Sequence, residues 1–67
     1  MIIKKKRYVI ATREFPLMFD DGNGNGVDAI EDAYLHDSEH KALDVLNTCF
    51  DEPSEHQVIG VTISYEF

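Results

Sequence analysis

The sequence has few of the features by which a short chain reveals its compartment. Its 67 residues include one cysteine, Cys49, so neither an internal disulfide nor a paired-cysteine metal site can form. A lone thiol fits a reducing compartment. No apolar run approaches the roughly 20 residues of a membrane span. The short apolar stretch after the basic start is interrupted at residues 12–14, which argues against a secretory leader. We expect one small domain, residues 1–67, in the cytoplasm and away from membranes.

Catalytic and cofactor signatures are missing as well. The chain contains no nucleophile elbow and no phosphate-binding glycine loop. Its carboxylates are numerous, yet no pattern places two of them in an apolar pocket where their pKa values would diverge. His36 and His40 have the spacing of two zinc ligands on one helical turn, but the predicted helix begins between them. We therefore expect neither an enzyme nor a cofactor.

Basic residues are scarce beyond the start of the chain. Five of the six lie in the first 13 positions. All 13 carboxylates lie from Glu14 onward, where Lys41 is the only lysine or arginine, and the net charge is −7. Nucleic-acid affinity depends on clustered lysine and arginine, so direct nucleic-acid binding is not expected. An acidic surface instead suits a protein partner with a basic surface, or serves only to keep a small protein soluble.

The C-terminal segment, residues 58–67, alternates with a period of two. Such alternation predicts a half-buried strand with one apolar face. The apolar positions are Ile59, Val61, Ile63, Tyr65 and Phe67.

Residues 37–50 show the period of an amphipathic helix. Asp37 or Ser38 can cap its start, and Pro53 follows its end. One arc of the projected helix is apolar and predicted to be buried, with Cys49 as a small hydrophobic member of the core. The arc consists of Ala42, Leu43, Val45, Leu46, Cys49 and Phe50.

Two further segments complete the predicted fold. Residues 6–15 are rich in β-branched and aromatic side chains, and four consecutive apolar residues indicate a central strand covered on both sides. Residues 27–36 fit either a helix or a strand. The strand is favoured because two strands alone are marginal in water.

Together these segments predict an α+β domain with the order β-β-α-β. Its three-stranded antiparallel sheet has the first strand in the centre and one helix packed on one face. The other face and two edges stay open, so a homodimer is a possible assembly.

The stretch Asp21–Asp32 resembles the 12-residue calcium loop of EF-hands and dockerins. In that resemblance the ligands are Asp21, Asn23, Asn25 and Asp32, with Gly26 at the sharp turn. Asp28 departs from the pattern, because it occupies the position of an apolar anchor, and a strand precedes the loop in place of a helix. Asn-Gly steps are also strong hairpin signals. A hairpin connection, a calcium site and a contact loop are the three interpretations.

An apolar cluster beside this loop suggests a contact surface. Met18 and Phe19 precede Asp20 and Asp21, and an apolar anchor rimmed by acids is typical of protein-binding sites. In size, element order and charge the chain resembles the small acidic proteins by which phages inhibit host factors, including anti-CRISPR proteins. The resemblance implies a non-enzymatic inhibitor that presents carboxylates to a basic or nucleic-acid-binding host protein. The predicted contact residues are Met18, Phe19, Asp20, Asp21, Asp28, Glu31 and Asp32.

Overall fold

Two long antiparallel strands form the frame of the fold. A computed structural model describes residues 1–67 and assigns β1 to Ile2–Thr12 and β4 to His56–Glu66, each of 11 residues. The strands pair without interruption from Ile2 opposite Glu66 to Thr12 opposite His56. This ladder brings the ends of the chain together, and the Met1 amino group donates to the Phe67 carbonyl oxygen at 2.9 Å.

Two short strands extend the sheet on the other side of β1. They are β2, Phe19–Asp20, and β3, Gly26–Val27, and the sheet order is β3-β2-β1-β4 with every pair antiparallel. The α+β class with one helix is confirmed. The sheet has four strands in place of the predicted three, and the element order is β-β-β-α-β.

The strand predicted across residues 27–36 is wrong. Only its first residue belongs to β3, a single 3₁₀ turn follows at Ile30–Asp32, and His36 makes an isolated bridge to Tyr8. The helical alternative is wrong too, because three residues form the whole turn. The segment has neither the 3.6-residue period of a helix nor the two-residue period of a strand. It connects the outer strand β3 back to the edge of β1, where His36 pairs with Tyr8.

The helix α1 covers Glu39–Cys49 and begins at the predicted cap. The Ser38 side chain accepts a hydrogen bond from the Lys41 backbone N–H at 3.2 Å, which satisfies one of the free amides of the first turn. The helix falls short of the length and apolar character that a membrane crossing needs.

One side of α1 packs against the sheet. Ala42 and Leu46 are buried against Ile10, with Tyr8, Val45, Phe50 and Val58 partly buried around them. Two members of the predicted apolar arc lie outside this core: Leu43 is 39 % exposed, and Cys49 is exposed. The prediction of a buried Cys49 is therefore wrong. The buried stripe is narrower than the predicted arc, because a helix of three turns packs only one narrow side on a sheet.

The alternating apolar stripe of β4 lies on the sheet face opposite α1. Residues paired across antiparallel strands point to the same face, and Val58 pairs with Ile10, which packs under the helix. The odd-numbered residues of β1 and β4 must then point away from α1. Val9 and Ala11 are nonetheless fully buried at the centre of the sheet, as the prediction of a strand covered on both sides requires. The prediction that the face opposite the helix stays open is therefore wrong at these two residues.

The far half of the two long strands extends beyond the helix as a two-stranded ribbon. We define the ribbon as residues 2–7 paired with residues 61–66, and the core half as residues 8–12 paired with residues 56–60. The ribbon contributes to an elongated shape of 42 × 24 × 19 Å. It carries the basic residues Lys4, Lys5, Lys6 and Arg7.

Candidate functional site

The turn between β2 and β3 is organised by the side chain of Asp21. Its Oδ1 accepts hydrogen bonds from the backbone N–H groups of Asn23 at 2.8 Å and Asn25 at 3.2 Å, and its Oδ2 accepts from the Asn25 side-chain amide at 3.3 Å. The Asn23 N–H is the main reason why the pKa of the Asp21 carboxyl lies below its ordinary value of 3.8. Gly22 and Gly24 both adopt φ of +87°, which a tight turn of this kind requires.

These bonds bear directly on the calcium interpretation of the same stretch. The Asp21 oxygens point to the amides of their own turn, and Asp32, the other proposed acidic ligand, belongs to the separate 3₁₀ turn. No group of three or more His, Cys, Asp or Glu side chains is close enough to hold a metal ion. The Asn-Gly steps form a hairpin connection between two strands, as the hairpin interpretation predicts.

Tyr34 packs the chain against this turn. Its backbone N–H donates to the Asp20 carbonyl oxygen at 2.9 Å, and its ring meets His36 edge to face with 4.9 Å between centroids. A Cβ at Gly22 would come within 2.8 Å of the Tyr34 ring. Glycine at position 22 therefore allows both the turn and the close approach of the aromatic ring.

His36 lies between the turn and the helix. It exchanges two backbone hydrogen bonds with Tyr8, at 2.8 and 3.0 Å, and it is the only buried polar residue, at 8 % exposure. Its Nε2 atom is buried and has no hydrogen-bond partner. Unpaired buried polar atoms are rare because each forfeits its bonds to water, so this nitrogen has hydrogen-bonding capacity that the fold leaves unused.

A groove of about 960 Å³ separates α1 from the β2–β3 turn. Three carboxylates line it, those of Asp20, Asp44 and Asp51, and Lys41 is the only lysine or arginine among the lining residues. The aromatic rings come from Tyr34, His36, Phe50 and His56, and the last two meet edge to face at 4.8 Å. Carboxylates beside aromatic rings suit a cationic side chain, which carboxylates attract and ring faces accommodate.

The predicted contact residues do not form one surface. Asp20 lines the groove, whereas Asp21 is held within its turn. Met18 and Phe19 are both half-buried and, as neighbours along an extended chain, point to opposite sheet faces. Both residues nevertheless line one small cavity beside the turn, and their role as an apolar anchor stays a prediction. Asp28, Glu31 and Asp32 are exposed around the 3₁₀ turn and do not line the groove.

Sequence reasoning missed most of the residues that line the groove. Asp44 lies outside the predicted apolar arc of the helix, and the predicted strand over residues 27–36 includes Tyr34 and His36. The signal for Asp44 was present, because it is one residue before the half-buried Val45 and so borders the packed face. Nothing local indicated that Asp51, which follows the helix, would line the same groove as Asp20.

Comparison with known proteins gives no relative. The chain matches no family model, no curated protein and no solved structure.

Proposed function

We propose that the protein is a non-enzymatic binding domain whose acidic groove receives a lysine or arginine side chain of another protein. The observation that carries the proposal is the groove between α1 and the β2–β3 turn, which is lined by three carboxylates and four aromatic rings but by only one lysine. The net charge of −7 adds long-range attraction for a basic partner and speeds its encounter.

His36 gives the groove a polar contact in addition to its carboxylates. Its Nε2 is unpaired and buried, so a partner group that hydrogen-bonds to this nitrogen would satisfy it at little cost in lost water contacts. The Tyr34 ring meets the His36 ring edge to face, and both residues line the groove.

The resemblance to phage-encoded inhibitors suggests what the partner does. We propose a cytoplasmic host factor whose basic site normally holds nucleic acid, with the acidic groove occupying that site in its place. In this role the protein itself need not bind nucleic acid. Its carboxylates would stand where phosphates otherwise lie.

The test is the binding of a fluorescein-labelled decalysine peptide, measured by anisotropy at several salt concentrations. We expect binding that weakens as salt rises, because salt screens exposed charges. The variant Asp20→Asn/Asp44→Asn/Asp51→Asn should lose about tenfold or more in affinity, equivalent to about 1.4 kcal/mol.

The matched control removes three negative charges elsewhere, with Asp28→Asn/Glu31→Gln/Asp32→Asn. This variant should change the affinity less than about threefold, because only the diffuse attraction of the net charge is reduced. An equal loss of affinity in the two variants would show that the net charge attracts the peptide and that the peptide does not bind in the groove. A larger loss in the control would instead move the site to the 3₁₀ turn.

A further inference from the structure

The outer edge of β4 has no partner in the chain. The odd-numbered residues of β4 form their backbone hydrogen bonds with β1. Two bonds at the ends of the ladder set this pattern: the Phe67 N–H donates to the Met1 carbonyl oxygen, and the Arg13 N–H donates to the Glu55 carbonyl oxygen. In an antiparallel ladder the alternate residues direct their N–H and C=O groups to the other side. None of the backbone hydrogen bonds outside helices and strands reaches these residues, which are Val58, Gly60, Thr62, Ser64 and Glu66.

This edge also lacks the devices that usually protect an edge strand. Natural edges are short, bulged, or marked by lysine or proline. β4 is 11 residues long with the sequence HQVIGVTISYE, and Glu66 is its only Asp, Glu, Lys or Arg residue. Its register with β1 continues without a bulge. Such an edge is a template for another strand.

The exposed surface is larger than a monomer of this size normally presents. A typical monomer of 7.6 kDa exposes about 4300 Å², whereas this chain exposes 4893 Å². The excess of about 600 Å² per chain approaches the roughly 800 Å² per partner of a standard protein interface.

We propose that two copies of the chain pair through their β4 strands, antiparallel, about a two-fold axis at Val61. Val61 is the central residue of β4, so this register overlaps the strands over their whole length. The outward groups of Thr62 would face those of the partner's Gly60, and Ser64 those of the partner's Val58. Side chains of the apolar stripe would also meet, with Ile63 opposite the partner's Ile59.

Charge complementarity favours a second copy as the added strand. In this register Glu66 lies opposite the partner's His56. The ribbon end of each copy, with Lys4–Arg7, also lies alongside the acidic end of the other copy, because Asp51, Glu52 and Glu55 immediately precede β4. A chain with its cations at one end and its acids at the other is self-complementary in an antiparallel pair.

A disulfide crosslink tests the register. The background variant is Cys49→Ser, because Cys49 is the only cysteine and is exposed. Val61→Cys added to it places two thiols opposite each other at the axis, about 4.5–5.5 Å apart between Cβ atoms, which a disulfide can span with little adjustment. Under mild oxidation we expect most of the chain to become a covalent dimer.

Ile63→Cys in the same background is the matched control. Position 63 lies on the same face and strand, but its copy would be about 14 Å away along the strands. We expect at least a tenfold lower crosslinked fraction. Equal crosslinking at the two positions would overturn the register, and its absence at position 61 would overturn the pairing.

Self-association without crosslinking is measured by sedimentation equilibrium under reducing conditions. Wild-type protein should approach twice the chain mass as concentration rises. Val61→Lys should raise the dimer dissociation constant at least about tenfold, because like charges directly opposite destabilise paired strands. Ile3→Lys, on β1 away from the free edge, should leave the constant within about threefold. A wild-type protein that stays monomeric at every concentration up to millimolar would overturn the proposal. The proposal would be overturned by that result even if the free edge of β4 instead binds a strand of another protein.

Discussion

The core half and the ribbon belong to the same two strands, yet only the core half is buried. Val9, Ile10 and Ala11 are at most 1 % exposed, whereas Ile2 and Ile3 in the ribbon are 61 % and 37 % exposed. Both halves have the same register and the same antiparallel pairing. The difference teaches that strand pairing alone does not make a core. Burial also requires neighbouring elements, and in the core half these are α1, which packs on Ile10, and β2, which pairs with β1.

The two halves also differ in how their polar groups are satisfied. In the core half both edges of β1 are paired, since Tyr8 bonds to His36 and Thr12 to Met18 across from β4. In the ribbon, Arg7 has one ion-pair contact, 3.6 Å from the exposed Asp37, and Lys6 lies 5.7 Å above the Tyr8 ring. In the ribbon both outer edges of the strand pair therefore lack a backbone partner, whereas the core half leaves only the outer edge of β4 free.

The largest expected effect is the loss of a core side chain. Ile10→Ala removes a side chain that is 1 % exposed and in contact with α1, and it should lower the free energy of unfolding by about 3 kcal/mol. A domain this small has little stability to lose, so partial unfolding at 25 °C is expected. Urea denaturation followed by circular dichroism at micromolar concentration measures the change.

Ile3→Ala in the ribbon is the matched substitution. Ile3 is 37 % exposed, and the change is again isoleucine to alanine. The free energy of unfolding should therefore fall by less than about 1 kcal/mol. Equal losses at positions 3 and 10 would show that the ribbon belongs to the core. That result would remove the contrast between the two halves.

The sequence predicted the elements that have a long period and clear ends. The helix had a 3.6-residue period, a serine cap and a following proline, and its observed start agrees with that cap. Alternation predicted β4, and β-branched residues predicted a strand over residues 6–15. Only residues 6–12 of that range belong to β1, which begins earlier, at Ile2. β2 and β3 have only two residues each, which is too few for any period to show.

Two features depend on contacts between distant residues that no local pattern encodes. They are the sheet face on which α1 packs and the set of residues that line the groove. Alternation in β4 shows that one face is apolar, but it does not say on which face the helix will pack. Val58 and Ile10 decide that, since both are on the face under α1. The groove joins Asp20 from β2, Asp44 from α1 and Asp51 from the following loop, and only the complete fold brings them together.

Ser38→Ala should have a smaller effect than the core substitution. The Ser38 hydroxyl oxygen caps α1 through the Lys41 N–H at 3.2 Å, and loss of such a cap costs about 1 kcal/mol. Ser54→Ala is the control, because Ser54 is exposed in the second 3₁₀ turn, Pro53–Glu55, which has no side-chain cap hydrogen bond. Thermal unfolding of both variants should show a lower melting temperature for Ser38→Ala alone. A similar decrease in both variants would mean that the Ser38 cap adds no more stability than an exposed serine that caps nothing.

Titration of Asp21 should produce the smallest effect, confined to the turn. The pKa of its carboxyl is lowered, chiefly by the Asn23 N–H, so its contribution to stability is present above the unfolded value near 3.8. That contribution is lost as the pH falls through the lower folded value. Amide resonances of Asn23 and Asn25 should therefore move with a midpoint below 3.8, and Asp21→Asn should abolish this transition. Ribbon amides such as those of Ile3 and Tyr65 should not follow the same transition, because neither hydrogen-bonds to Asp21. A shared midpoint in the turn and the ribbon would instead indicate that acid unfolds the two regions together.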